Sequence, residues 1–299
     1  MSGASAAFET RRDDCPLCGA VEISLLYAID RFSTPFTVDR CGRCGFIFMN
    51  PRFTDAALAS FYDKGYYTAS AEYAYCDERA AERHARHVWN ARLKTIRRHV
   101  SDGALLDVGC AFGGFLKAAQ SRFRPYGIEI SPYAAGECRR WLGDALHQGT
   151  LADHPFPSGY FSVITMIEVI EHLADPVFAI EECHRLLRPG GLLVLQTANF
   201  DARQARRIRE RYAYFLPGHV SYFTKRNLSD ALRRAGFSRI VAYQPVDFGL
   251  LPKLLKSRGG FRSIADYRAW FRIAWYHLQS TVRWNDFALT SSMVLYAIK

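Results

Sequence analysis

Between residues 101 and 200, short apolar, β-branched runs alternate with stretches whose apolar positions recur every three or four residues. That alternation predicts βαβ units and a parallel sheet covered by helices. Strands are expected at 104–108, 125–130, 145–147, 161–167 and 192–196, and helices at 114–121, 133–142 and 177–187. The last helix should stop at Arg188-Pro189-Gly190-Gly191, because proline and glycine cannot continue it. A further helix at 228–235, closed by Gly236, and strands at 239–243 and 293–298 complete a seven-stranded set. Upstream, Ala85, Val88, Trp89, Arg92, Leu93, Ile96 and Val100 mark one face of an amphipathic helix over 79–100, with arginines and a lysine over much of the rest. Three parts are expected: a small module at 1–52, a helical cap or linker at 53–100, and an α/β domain at 101–299 with inserted lid segments near 201–226 and 246–288. The expected fold class is α/β, a Rossmann-like, mostly parallel sheet with helices on both faces, preceded by a small ribbon.

Composition narrows this picture only a little. No apolar run approaches the roughly 20 residues of a membrane-spanning helix, and the first residues lack the apolar stretch of a signal peptide. A cytoplasmic protein is the expectation. The eight cysteines then read as thiols or metal ligands rather than as a disulfide framework. The net charge of +10 suits RNA, an anionic membrane surface or an anionic substrate, and equally a soluble enzyme with none of these.

Four cysteines stand in two knuckles, Cys15-Pro-Leu-Cys18-Gly and Cys41-Gly-Arg-Cys44-Gly. Each pair turns two thiolates toward one point, and the following glycine permits the tight turn. Together they supply a closed, four-sulfur zinc site, structural rather than catalytic, which offsets the small core of a module this short. Cys76, Cys110, Cys138 and Cys183 are scattered, and packing is their default role.

The segment Leu105-Leu106-Asp107-Val108-Gly109-Cys110-Ala111-Phe112-Gly113-Gly114 is a glycine-rich strand-to-helix turn. Ala111 stands where a dinucleotide fingerprint needs its second glycine to admit a pyrophosphate. A methyl group there, with Asp107 two residues before the first glycine, disfavours phosphate and favours a cofactor carrying a cationic amino-acid moiety. Glu129 ends the next strand, 20 residues after Gly109, a distance suited to accepting hydrogen bonds from ribose hydroxyls.

The segments DVGCAFGG (107–114), YGIEIS (126–131), FSVITMIEVIEHLADP (161–176) and LLRPGGLLVLQT (186–197) resemble, in order, the motifs of class I S-adenosylmethionine-dependent methyltransferases. CGFIFMNPRF (44–53), FYDKGYY (61–67) and HVSYFTKRNLSDALRRAGF (219–237) are similar to a bacterial subgroup with an N-terminal CxxC…CxxC ribbon. The resemblance implies that Asp107, Gly109, Cys110, Ala111 and Gly113 line the methionine side of S-adenosylmethionine. It also implies that Glu129 holds the ribose, Ile130 flanks the adenine and Leu151 contacts it, with Asp153 an alternative. Glu168 would face the methyl donor.

Catalytic candidates gather in Glu168-Val-Ile-Glu171-His172 and at His219. The donor is already activated as a sulfonium, so the protein must mainly place an acceptor in line and remove a proton. His172 can do so as a general base. The ExxEH spacing also resembles ubiquinone-type O-methyltransferases and small-RNA 2′-O-methyltransferases, which implies a divalent cation on Glu168, Glu171, His172 and His219. A third reading is that Glu171 and His172 only fix the loop. Tyr62, Tyr66, Tyr67 and Tyr222 are expected to line the acceptor space, with Arg203, Arg206, Arg207, Arg209 and Arg211 either facing an anionic acceptor or forming a solvated helix face. The expected acceptor is a small molecule or a nucleotide-linked sugar, methylated at oxygen or carbon. RNA is the alternative, and a non-catalytic cofactor-binding scaffold the third.

Overall fold

The computed structural model describes residues 8–62, 64–68, 78–284 and 287–299; Cys76 lies outside them. The chain begins with an antiparallel meander, β1 (Ile23–Ile29), β2 (Phe36–Cys41) and β3 (Ile47–Met49). Arg11 pins its entry by reaching the buried Asp39 at 2.6 Å, and Asn50 Nδ2 donates to the same carboxylate at 2.7 Å. Two short helices follow, α1 (Asp55–Ser60), capped by the Thr54 hydroxyl, and α2 (Lys64–Tyr67). The amphipathic helix forms as α3 (Glu82–Ile96).

The expected alternation then unfolds in order: β4 (Gly103–Val108), α4 (Gly114–Ala119), β5 (Phe123–Glu129), α5 (Pro132–Leu142), β6 (Leu146–Gln148), β7 (Phe161–Ile167), α6 (Pro176–Leu186) and β8 (Leu187–Ala198). α6 starts with Asp175 as cap and Pro176 in its first turn. It stops where the Arg-Pro-Gly-Gly segment predicts, and Lys299 Nζ donates to the carbonyls of His184 and Leu187 at its C-terminal end. Beyond β8 come α7 (Arg203–Ile208), β9 (Ser221–Tyr222), α8 (Lys225–Arg234), β10 (Arg239–Tyr243), α9 (Leu250–Ser257) and α10 (Arg268–Ser280). The two-residue strands β11 (Arg283–Trp284) and β12 (Phe287–Ala288) precede the closing β13 (Ser292–Ile298).

Seven strands make one sheet in the order β10-β13-β8-β7-β4-β5-β6. β4 to β8 run parallel, and only β13 enters antiparallel, between β8 and β10. β7 and the part of β8 from Gly191 onward are almost wholly buried, as strands covered by helices on both faces must be. The chain moves outward from β4 through β5 to β6, then returns to place β7 on the other side of β4. That reversal leaves a crevice at the carboxyl ends of β4 and β7, the switch point at which open α/β sheets bind ligands.

One feature crosses the boundary expected at residue 52. β9, from the far side of the α/β domain, pairs with β3 and completes a four-stranded sheet β1-β2-β3-β9. Phe46 and Phe48 enter the same core as Phe223 and Leu228, with the Phe46 and Phe223 rings 5.1 Å apart. The ribbon is therefore joined to the α/β domain by a shared core. Among the described residues no helix is long and apolar enough to cross a membrane.

Candidate active site

The turn after β4 is built for close approach. Gly109 and Gly113 have φ of 71° and 74°, a region that favours glycine. A Cβ on Gly109 would lie 2.6 Å from Val169, and one on Gly113 2.6 Å from the Trp141 ring. Ala111 takes φ 47° despite its methyl group and donates its N–H to Glu129 Oε2 at 2.8 Å. Glu129 Oε1 accepts from Ser131 N at 2.9 Å and from the Tyr67 hydroxyl at 3.1 Å. Burial pushes the Glu129 carboxyl up, and these donors pull it back. A carboxylate offers about four acceptor positions; three are used, one of them by a hydroxyl that a ribose hydroxyl can replace. Asp107 is buried with Thr165 Oγ1 donating at 2.6 Å, and burial pushes it up to about 7, against the pull of that hydrogen bond and of Arg92. Such a carboxylate gains from a cationic partner.

These loops open on a cleft of about 1350 Å³. Pockets for one drug-sized ligand run to about 300–1,000 Å³, so there is room for a cofactor and an acceptor. Asp107, Gly109, Cys110, Ala111, Glu129, Ile130, Leu151 and Glu168 all line it, while Gly113 sits just behind. Ile130 is 41% exposed, open to the cleft rather than packed. Asp153 is spent elsewhere: its Oδ1 accepts from Thr150 N at 2.7 Å and pairs with His147, fixing the turn, and it is not among the lining residues.

At the end of β7, Glu168 adopts φ 55°. Its Oε1 accepts from Gln196 Nε2 at 2.6 Å and its Oε2 from the Tyr214 hydroxyl at 3.4 Å. Glu171, three residues on, is buried, and neither carboxylate oxygen has a hydrogen-bond partner among the described residues. Burial, then the nearby Glu168 charge, pushes its carboxyl well up. His172 Nδ1 donates to the Gly218 carbonyl at 2.9 Å, with the Tyr62 oxygen also 2.6 Å away; His219 Nδ1 donates to the Tyr214 carbonyl at 2.8 Å. Both rings therefore leave Nε2 as an unprotonated lone pair. Burial lowers His172 to about 4 and holds His219 well below the usual imidazole range, so both are neutral near pH 7. Ligand atoms of Glu171, His172 and His219 lie within 4.8 Å of one another. Glu168 is not within that tight group of three, its carboxylate taking hydrogen bonds from Gln196 and Tyr214, but its charge still bears on Glu171.

Tyr62, Tyr66 and Tyr67 line the cleft as expected, stacked edge to face at 5.3 and 5.1 Å, and burial pushes Tyr66 up to about 12. Tyr222 does not reach it. It is fully buried on β9, and its hydroxyl donates to the His219 carbonyl at 2.6 Å, so its part is to hold that loop. The arginines of 203–211 point outward on α7 and beyond, which makes them the solvated face; Ala213, Tyr214 and Leu216 line the cleft instead.

Sequence reasoning missed a polar relay behind the site. Asp247, buried, pairs with Arg92 at 3.1 Å; Arg92 donates to Gln196 Oε1, and Gln196 donates to Glu168. Arg92 was legible only as a cation on the apolar stripe of α3. Gln196 and Asp247, one at the end of a strand and one in a loop, carry no pattern of their own.

In the ribbon, Cys15 and Cys44 sulfurs are 3.7 Å apart, as are those of Cys18 and Cys41, and all four lie within 4.8 Å of one another. With Zn–S bonds of about 2.3 Å, the edge of a tetrahedron is about 3.8 Å. The four sulfurs match that spacing.

A sheet of this order, with a glycine turn after β4, an acid ending β5 and a polar loop after β7, defines a class I S-adenosylmethionine-dependent methyltransferase. A family model described as a methyltransferase domain matches residues 81–242, and the chain belongs to that family. It is similar to the ubiquinone biosynthesis O-methyltransferase of Psychrobacter arcticus, 32% identical over 120 residues, covering 36% of this chain and 45% of that protein. The protein of the same description from Pseudomonas paraeruginosa is 34% identical over 116 residues, covering 34% and 47%. The chain thus spans about half the length of these curated relatives. A chain in the complex between the Haloferax volcanii Trm112 methyltransferase activator and a methyltransferase shares the fold, with a TM-score of 0.51 at 17% identity, covering 81% of this chain and 96% of that one.

Proposed function

We propose that the protein transfers a methyl group from S-adenosylmethionine to an oxygen or carbon of a small-molecule acceptor. The observation that carries this is the meeting, at one switch point, of an Asp107–Gly109 turn, the Glu129 carboxylate and the Glu168–His172 loop in a cleft with room for two ligands. The names of the curated relatives support a small acceptor. The cofactor, when bound, supplies a methyl group on a sulfonium, an already activated leaving arrangement. Asp107 would face its ammonium, Glu129 its ribose, and Ile130 and Leu151 its adenine. His172 would take the acceptor proton on its Nε2 as the methyl group is transferred, the sulfur keeping the electron pair of the broken carbon–sulfur bond. Glu129→Ala should weaken S-adenosylhomocysteine binding about tenfold, the worth of one or two charge-assisted hydrogen bonds. Unchanged affinity by calorimetry would refute the ribose assignment.

One observation favours a cation in this loop. Glu171 is a buried carboxylate whose oxygens, among the described residues, accept no geometrically sound hydrogen bond, beside two imidazoles that each present a lone pair. A divalent cation on Glu171, His172 and His219 would satisfy all three and polarise an acceptor hydroxyl. Manganese titrated into the cofactor-loaded protein should then bind, and His219→Ala should abolish the binding. If the wild-type protein takes up no manganese at this loop, His172 acts as base alone. Direct titration is preferable to chelation, which would also strip the ribbon.

The same proposal places a structural zinc ion on Cys15, Cys18, Cys41 and Cys44, supported by the match of sulfur spacing to a tetrahedral site.

A further inference from the structure

Lys253 is a cation of the cleft that the fold around it, among the described residues, does not engage. Lys253, on α9, lines the cleft half-buried, and among the described residues it makes neither a hydrogen bond nor an ion pair. The charged and titratable groups that face it come from four directions: Arg92 from α3, Glu168 from the loop after β7, His277 from α10, and Asp247 and Lys256 from its own segment.

Among the described residues none of these forms an ion pair with it, although Glu168 and Asp247 attract it from further off. Arg92 and Asp247 neutralise each other at 3.1 Å. Glu168 is turned to Gln196 and Tyr214. Burial lowers His277 to about 4, so it is neutral, and among the described residues its buried Nε2 has no hydrogen-bond partner. Lys256, one turn further along α9, brings a second positive charge to the same wall. An ammonium partly withdrawn from water without a partner is costly, and an anionic ligand in the cleft would offset that cost. The same burial brings Lys253 down to about 8, so near pH 7 it is mostly charged and ready for an anion.

The placement relative to the cofactor turn decides which ligand. Asp107 and Gly109 lie at the end of β4, where the amino-acid end of the cofactor is expected. Lys253 is close enough to Glu168 for their charges to interact, and Glu168 is the residue expected to face the methyl donor. We propose that Lys253, with Lys256 beside it, holds an anionic group of the methyl acceptor, a carboxylate or a phosphate. The acceptor class is therefore an anionic small molecule, and Lys253 is a specificity-determining residue. This rests on the reading of the cleft as a methyltransferase site.

The one competing source of the same chemistry is the carboxylate of the cofactor's methionine moiety, and the experiment separates the two. S-adenosylhomocysteine is titrated into the wild-type protein, Lys253→Gln and Lys256→Gln; inorganic pyrophosphate is then titrated into each loaded protein. Pyrophosphate should bind the wild type, weaken about tenfold or more in Lys253→Gln, and weaken less in Lys256→Gln, while S-adenosylhomocysteine affinity stays within about twofold. A tenfold loss of S-adenosylhomocysteine affinity in Lys253→Gln would assign the ammonium to the cofactor and overturn the proposal. So would pyrophosphate that binds all three proteins alike, or that does not bind the loaded wild type. If the wild type fails to bind S-adenosylhomocysteine at all, the methyltransferase reading itself falls, a distinct result. Thermal melting of each variant checks that it is folded.

Discussion

Arg92→Ala is expected to destabilise the folded chain by about 3–5 kcal/mol, because it leaves the buried Asp247 carboxylate without its cation. The side chains of Arg92 and Asp247 are 7% and 0% exposed, so solvent cannot replace the lost partner. Tyr296 would still donate to Asp247 at 2.5 Å, which softens the loss without neutralising the charge. The thermal midpoint should fall by roughly 6–15 °C on the usual conversion for a large domain. The effect should reach the site as well, since Arg92 orients Gln196 and Gln196 orients Glu168. The double variant Arg92→Met, Asp247→Leu separates the two effects. It should recover most of the stability, because a buried pair replaced by apolar groups is near neutral, while methyl transfer stays impaired. A midpoint for Arg92→Ala within 2 °C of the wild type, roughly the shift of 1 kcal/mol or less, would show that the pair contributes little.

Cys41→Ser should have the other large effect. Its sulfur is 1% exposed and stands 3.7 Å from that of Cys18, so serine offers a harder ligand in a site shaped for sulfur. About one zinc ion per chain should be lost, read by elemental analysis. The consequence should spread beyond the knuckles, because Cys41, Phe46 and Phe48 share a core with Phe223 and Leu228. Limited proteolysis should cut both the ribbon and the segment around β9. Cys183→Ala, in the same core on α6 and far from the four sulfurs in sequence, serves as the control and should keep the metal. Native protein that carries no zinc would refute the assignment.

The parts that could be read in the sequence are those whose physics is local. A strand buried on both faces must be apolar along its length, and Phe161–Ile167 was placed to the residue for that reason. A helix that meets proline and glycine must stop, and α6 ends at Leu186 as its last residues require. Gly109 and Gly113 are demanded by positive φ and close neighbours, so the turn declares itself in the chain. Paired cysteines with following glycines declare a metal knuckle in the same way.

The expectations that needed correction all depend on partners distant in sequence. Tyr222 reads as another tyrosine near the cleft, yet a two-residue pairing with β3 turns it into the core. Glu168 reads as a member of the ExxEH set, and the Gln196 and Tyr214 donors that orient its carboxylate are recorded by no spacing. The arginines of 203–211 read equally as a substrate wall, and only the path of α7 turns them to solvent.

By itself, then, the sequence determined the order of the seven-stranded sheet's elements, the cofactor turn and its acid, and the four sulfurs, because each follows from steric or periodic rules within a few residues. The tertiary structure alone decided that the ribbon shares its core with the α/β domain, that Arg92 and Asp247 hold Glu168 through Gln196, and that Lys253 faces the cleft with no ion-pair partner among the described residues. Those outcomes arise from contacts between residues tens to more than a hundred positions apart, where burial fixes which charges meet and no local pattern records it.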